Sequence, residues 1–178
     1  MDIKWPKWTF SLLIGVLLIE LLVPVSAIWT NQRIRNRGNV YLFACSPVDP
    51  NDPFRGKYLA LHFALEDSLY AAPDHWNPGH PVFALLEKDQ RNSSHITRLS
   101  AIKPSSDYLM VRIADEFVDE FTDRVRITLP FDRLYVEESQ AGALEVRYRE
   151  QLRKDLPLVA VVRILDGKAV LDGLHFGE

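Results

Sequence analysis

The sequence predicts a mainly β protein with one soluble helix: an N-terminal transmembrane helix followed by an antiparallel β-sandwich or barrel-like domain. Three observations carry this prediction. Residues 8–29 form an apolar run with a single ionisable group, Glu20. After Gly38 the chain breaks into short apolar or alternating segments separated by Pro, Gly, Asn and Asp, the pattern of strands and turns. Within that remainder only residues 140–154 place apolar side chains at helical spacing. The 178 residues therefore divide into an anchor over 1–37 and a single β-rich soluble domain over 38–178.

As a helix the apolar run spans about 33 Å, which matches a bilayer core. Trp5 and Trp8 precede it and Trp29 closes it, and indole rings favour the headgroup level. Lys4 and Lys7 flank one side, and Arg33, Arg35 and Arg37 the other. A cleaved signal peptide is the competing reading, with Val25-Ser26-Ala27 as its cleavage site. Against it stand the length of the run, the Glu20 interruption and the continuation through Ile28 and Trp29 into a helix-compatible segment 30–35. A core helix would be apolar along one stripe, not all round. The arginines slightly favour their own side as cytoplasmic, whereas the short tail before the run favours export of the long domain. The expected placement is an extracytoplasmic domain.

Residues 40–44 read as the first strand, ended by a stretch from Ser46 to Pro53 whose three prolines cannot donate to a ladder. Residues 57–65 are the second. Leu59, Leu61, Phe63 and Leu65 share its core face, with Tyr58, Ala60, His62 and Ala64 on the other. Residues 68–81, with Pro73, Pro78 and Gly79, form an irregular connection. Segments 82–87 and 95–101 pair as a hairpin, and 108–114, 124–129 and 134–137 are further strands. The soluble helix follows, with Ser139 as N-cap, Leu144, Tyr148 and Leu152 on one face, and Pro157 ending it. Segments 158–165 and 168–171 flank Asp166-Gly167, a hairpin signal because both central residues of a type I′ turn need positive φ.

Five of the 21 basic and two of the 24 acidic residues fall within 1–37, so the remainder stands at −6 with histidines neutral. That balance argues against nucleic acid as a partner, which needs a basic face. A lone cysteine, Cys45, allows neither an internal disulfide nor a cysteine-based zinc site, and it reads as a half-buried strand residue. The acidic run Asp115, Glu116, Asp119, Glu120 and Asp123 is interleaved with Phe117, Val118 and Phe121. It reads as a short amphipathic turn with a solvated acidic face, and it lacks the central glycine of a calcium loop.

The segment Arg55-Gly56-Lys57-Tyr58-Leu59-Ala60-Leu61-His62-Phe63 resembles the motif of the GDYXXLXY family of bacterial membrane-anchored proteins. Its surroundings are similar as well: an apolar N-terminal helix, a strand, and the lead-in Pro47-Val48-Asp49-Pro50 before Phe54. So are Leu134-Tyr135-Val136-Glu137 ahead of Gly142, and a terminal hairpin with Asp166-Gly167-Lys168-Ala169 and Leu171-Asp172-Gly173-Leu174. The likeness spans nearly the whole chain and is weakest over 73–123. Two motif positions depart from the pattern. Lys57 replaces aspartate, which argues against chemistry needing that carboxylate. Phe63 replaces the second tyrosine and keeps its ring, which suggests packing. The resemblance implies a membrane-anchored architecture and, from the multi-pass membrane proteins encoded beside family members, a partner in the membrane. It implies no reaction.

Arg55, Gly56, Tyr58, Leu61 and Phe63 are the motif candidates for recognition. A purely structural account also covers them. Gly56 allows a sharp entry at positive φ. Arg55 braces the loop against Asp49 or Asp52. Tyr58 covers the loop and bonds a backbone carbonyl, while Leu61 and Phe63 enter the core. The competing reading makes the loop and Tyr58 a surface for a partner.

No phosphate loop, nucleophile elbow, dinucleotide fingerprint or His-Glu-x-x-His string occurs, and no cofactor or resident metal is expected. Two alternatives stay open. Ser46-Pro47 after the anchor, with Lys57, Lys88 or Lys103 as base, loosely resembles the serine/lysine arrangement of signal peptidases; such a lysine must be desolvated. Asp67, Asp74, His75 and His80 share one irregular segment that could hold a small ligand or metal, although a turn separates the two histidines. Glu20 is the candidate for an intramembrane contact, because a mid-bilayer carboxylate is costly unless it faces a partner or is protonated. The expected function is a single-pass membrane-anchored, non-enzymatic accessory or assembly subunit of a membrane protein complex. Its expected partners are the lipid bilayer and one or more multi-pass membrane proteins.

Overall fold

Apolar side chains on every side leave the N-terminal segment no single stripe to bury, and it forms one long helix, α1 (Lys7–Arg37), with Pro24 inside it. The computed structural model describes residues 7–47, 54–55, 58–72, 75–89, 93–117, 123–136, 139, 142–144, 146–147, 150, 154 and 158–176. From Phe10 onward α1 is long and apolar enough to cross a membrane, and none of its most apolar stretch is buried against the rest of the chain. Its last turns meet the domain. Ile34 is buried, and Arg33 and Arg35 reach Asp166 and Asp172 at 4.0 and 3.9 Å. Gly38 ends the helix, at the boundary the sequence predicts between anchor and β domain. Its N–H donates to the Ile34 carbonyl at 2.7 Å, and a Cβ there would stand 2.5 Å from that oxygen.

The strands in chain order are β1 (Asn39–Pro47), β2 (Phe54–Arg55), β3 (Tyr58–Phe63), β4 (Tyr70–Ala71), β5 (Pro81–Lys88), β6 (Ser94–Ser100), β7 (Tyr108–Phe117), β8 (Arg124–Thr128), β9 (Arg133–Tyr135), β10 (Leu158–Leu165) and β11 (Lys168–Phe176). A single helical turn, α2 (Ala64–Asp67), follows β3. Two antiparallel sheets result. One runs β11-β10-β1-β3-β2, with β9 also on β3; the other runs β4-β8-β7-β5-β6. Tyr41 faces Val162 and Ser46 faces His62 in the first sheet, and Val82 faces Val111 in the second. The expected antiparallel β architecture with a preceding apolar helix is therefore present.

The pleat drives the packing. Leu59, Leu61 and Phe63 of β3, Leu158, Ala160, Val162 and Ile164 of β10, and Val82, Ala84 and Leu86 of β5 are all buried in one core. The Asp166-Gly167 turn forms as predicted, with φ of 51° and 77°. It also joins the sheets, because the Gly167 carbonyl accepts the Met110 N–H at 2.9 Å. Buried Ser94 makes a second link: its Oγ accepts the Leu42 N–H at 3.0 Å, a β1 donor that would otherwise lack a ladder partner there. Tyr41 makes a third, donating its hydroxyl to Asp107 Oδ2 at 2.6 Å. Burial, followed by that carboxylate, raises the phenol above its ordinary value.

Some boundaries differ from expectation. β1 runs on to Pro47, because residues 45–47 find partners in residues 61–63. Leu65 leaves the second strand, which bends into α2 after Phe63 and leaves it half-buried. The irregular connection contains β4, paired with β8. The acidic run is not a turn at its start: Asp115, Glu116 and Phe117 continue β7, past a bulge at Ala114. Between 139 and 154 the described residues are helical, Ser139 included; Tyr148 and Leu152 lie outside them.

Cys45 is half-buried beside the Leu158 carbonyl, and burial pushes its thiol up to about 12. The thiolate is the reactive form, so maleimide at pH 7.5 should label the folded protein at least about a hundredfold more slowly than the denatured chain. Similar rates in a mass-spectrometric time course would contradict that burial.

Candidate functional site

The motif strand splits by the pleat into an inner and an outer half. Leu61 and Phe63 point inward, and Phe63 packs edge-on against Phe131 at 5.2 Å between ring centroids. Tyr58, on the outer face, pairs across the strand with Tyr135 of β9, the rings 6.0 Å apart. The Arg133 guanidinium sits 5.0 Å from the Tyr58 ring centre. Such a cation over an aromatic face is attractive while leaving the charge accessible to a further ligand. The outer half of the motif is thus a ledge of two tyrosines and an arginine. Gly56, Lys57, Asp49, Asp52 and the side chain of Arg55 lie outside the described residues.

The ledge borders a cleft at the foot of α1. This opening of about 470 Å³ is lined by Asn31 and Arg35 of the helix and by Arg133, Leu134, Tyr135 and Asp172 of the sheet. A second opening of about 600 Å³ lies where the helix foot meets both sheets, with Thr30, Ile34, Met110, Leu129 and Lys168 among its walls. Trp29 directly precedes these helix residues. At 1.5 Å per residue both openings sit within about 10 Å of its ring level along the helix. The motif strand, the ledge and the end of the apolar helix therefore form one continuous surface. Its charged groups include Arg35, Arg133, Lys168, Asp132 and Asp172, paired in part as Arg133–Asp132 at 3.5 Å, Arg35–Asp172 at 3.9 Å and Arg163–Asp172 at 2.9 Å. Such a surface offers mixed charge and exposed tyrosine, residue types enriched where proteins bind one another. Glu20 stands apart from it, exposed within the apolar stretch of α1.

The other candidates scatter. Ser46 lies opposite His62, but Nε2 of that ring faces Asp67 Oδ2 at 2.8 Å and Nδ1 faces Glu66 Oε2 at 3.7 Å. Both nitrogens are thus directed at carboxylates, and among the described residues none hydrogen-bonds the Ser46 hydroxyl. Lys88 and Lys103 lie over the rings of Tyr41 and Tyr108, at 4.8 and 5.6 Å. Among the described residues, the alternative grouping of Asp67, His75 and His80 is not brought together. Asp67 belongs to His62, the His80 carbonyl accepts the Ile113 N–H at 3.0 Å, and Asp74 lies outside the described residues. Instead His75 Nδ1 lies 3.2 Å from Glu116 Oε1 and 3.1 Å from Asp123 Oδ2. The two carboxylates carried no signal for this in the sequence beyond their membership of the acidic run.

No curated protein and no solved structure matches the chain. Residues 20–174 match the family described as GDYXXLXY protein. That match begins inside α1 at Glu20 and takes in the motif strand, the ledge and most of the terminal hairpin, and the chain therefore belongs to the GDYXXLXY family.

Proposed function

We propose that this protein is a single-pass, membrane-anchored accessory or assembly subunit of a membrane protein complex and catalyses no reaction of its own. The observation that carries the reading is the state of α1. Its apolar stretch is exposed on all sides, yet its last turns contact the domain through Ile34, Arg33 and Arg35. An apolar surface of that size is stable in lipid and costly in water. The helix passes without interruption through Val25-Ser26-Ala27, and the family match includes its second half, which favours a retained anchor over a cleaved leader. The cleft and ledge at its foot then form a docking face at the membrane surface. Glu20 supplies a polar contact within the bilayer.

The test is crosslinked co-purification of the full-length protein from native membranes in mild detergent. Glu20→Leu is expected to insert as well as the wild type or better, because the carboxylate no longer has to enter the bilayer. It should weaken association with the partner helix by about threefold to thirtyfold, the worth of one intramembrane polar contact. Glu20→Gln should behave like the wild type, since an amide still donates and accepts. Equal recovery of every co-purifying membrane protein from all three would reduce Glu20 to a tolerated passenger. Recovery of none would remove the subunit reading.

A further inference from the structure

Three distant segments bring ligand-type groups together at one end of the second sheet. His75 lies in the loop after β4, Glu116 near the end of β7, and Asp123 just before β8. One atom from each falls within 4.8 Å of the other two. An imidazole nitrogen holds at most one proton and donates one well-aligned hydrogen bond. Here a single nitrogen, Nδ1, faces two carboxylates at 3.2 and 3.1 Å. A cation bound by all three would satisfy the nitrogen lone pair and both negative charges at once.

The spacing suits that role. Ligand atoms held about 2.0–2.2 Å from a tetrahedral zinc stand roughly 3–3.5 Å apart. The carboxylates are placed by the fold. Glu116 Oε1 also accepts the backbone N–H of Trp76 at 3.3 Å, and the Trp76 ring is buried in the core. The side chains of Glu116 and Asp123 are only 18% and 22% exposed, while His75, at 75%, faces solvent and can admit an ion. One nitrogen and two carboxylate oxygens form a set for borderline first-row cations; calcium and magnesium favour oxygen alone.

We propose that His75, Glu116 and Asp123 bind a divalent cation of the zinc type. The ion would pin the loop carrying Trp76 to the β7–β8 hairpin. This site is independent of the docking face and of the anchor reading.

Full-length protein in detergent, stripped with chelator, would be titrated with zinc chloride against a chromophoric competitor at pH 7.5 and melted with and without zinc. Expected are one zinc per chain, and a melting temperature raised by zinc through preferential binding to the folded state. His75→Ala and Glu116→Gln should each weaken zinc by more than about tenfold, since even losses behind the ligand shell cost that much. His62→Ala, at the other histidine–carboxylate group, should bind zinc like the wild type. His75 is exposed, so His75→Ala leaves the fold in place, and the zinc-free melting temperature checks that directly. Absence of saturable binding by the wild type, or equal affinity in His75→Ala, would overturn the proposal.

Discussion

Truncating Phe63 to alanine is expected to cost the β domain about 3–5 kcal/mol, the usual loss for a buried phenylalanine. The ring is 0% exposed and abuts Phe131, which itself lies 6.5 Å from Phe43. Its backbone pairs with Cys45 at the point where β3 meets β1, so relaxation into the gap would disturb the sheet as well. A circular-dichroism melt should show a fall of roughly 10 °C or more for a domain of this size. Phe63→Tyr restores the family's residue and is a more delicate probe. A phenol placed in this core without a partner costs about 1–3 kcal/mol. A melting temperature unchanged in Phe63→Ala would show that the motif's last aromatic position does not support the fold.

Gly167→Val is expected to cost about 2–5 kcal/mol, by two separate routes. At φ 77° the backbone is left-handed, a region that costs an L-residue roughly 1–2 kcal/mol. A Cβ would also run into the Tyr108 ring, which is buried and held edge-on to Phe83 at 5.3 Å. Overpacking of this kind typically adds 1–3 kcal/mol. Urea denaturation of the wild type and of the Ala and Val variants should give midpoints falling in that order. An unchanged midpoint for Val would mean that the turn can give way without loosening its bond to Met110.

How far the sequence reveals this architecture depends on the range of the interaction that decides each part. Alternation along β3 is local, and it correctly places Leu59, Leu61 and Phe63 inside. The Asp166-Gly167 turn is local too, since two residues carry its backbone requirement. Long-range pairing decides the parts that were not legible. β4 is two residues whose strand character comes from β8. β1 reaches Pro47 only because β3 lies alongside. The ledge joins Tyr58 to Tyr135, 77 positions further on, through a three-residue pairing. The His75 group is the extreme case. Its carboxylates are 41 and 48 positions away, within a run whose composition alone reads as solvated surface. The nearby His80 and Asp67 offered a closer grouping in sequence, but His80 leads into β5 and Asp67 sits in α2 beside His62.

The junction at Gly38 has a mechanical consequence. A single residue separates the last turn of α1 from β1, and its N–H still closes the helix through Ile34. Buried Ile34, and Arg33 and Arg35 at 4.0 and 3.9 Å from carboxylates of the terminal hairpin, add contacts that resist a swivel at this junction. The helix has 31 residues, about 46 Å of lever arm. Held in a bilayer, it would set the attitude of the whole domain. A neighbour that leaned on the helix within the membrane would turn the ledge through the same angle, so that force applied at one end is felt as rotation at the other.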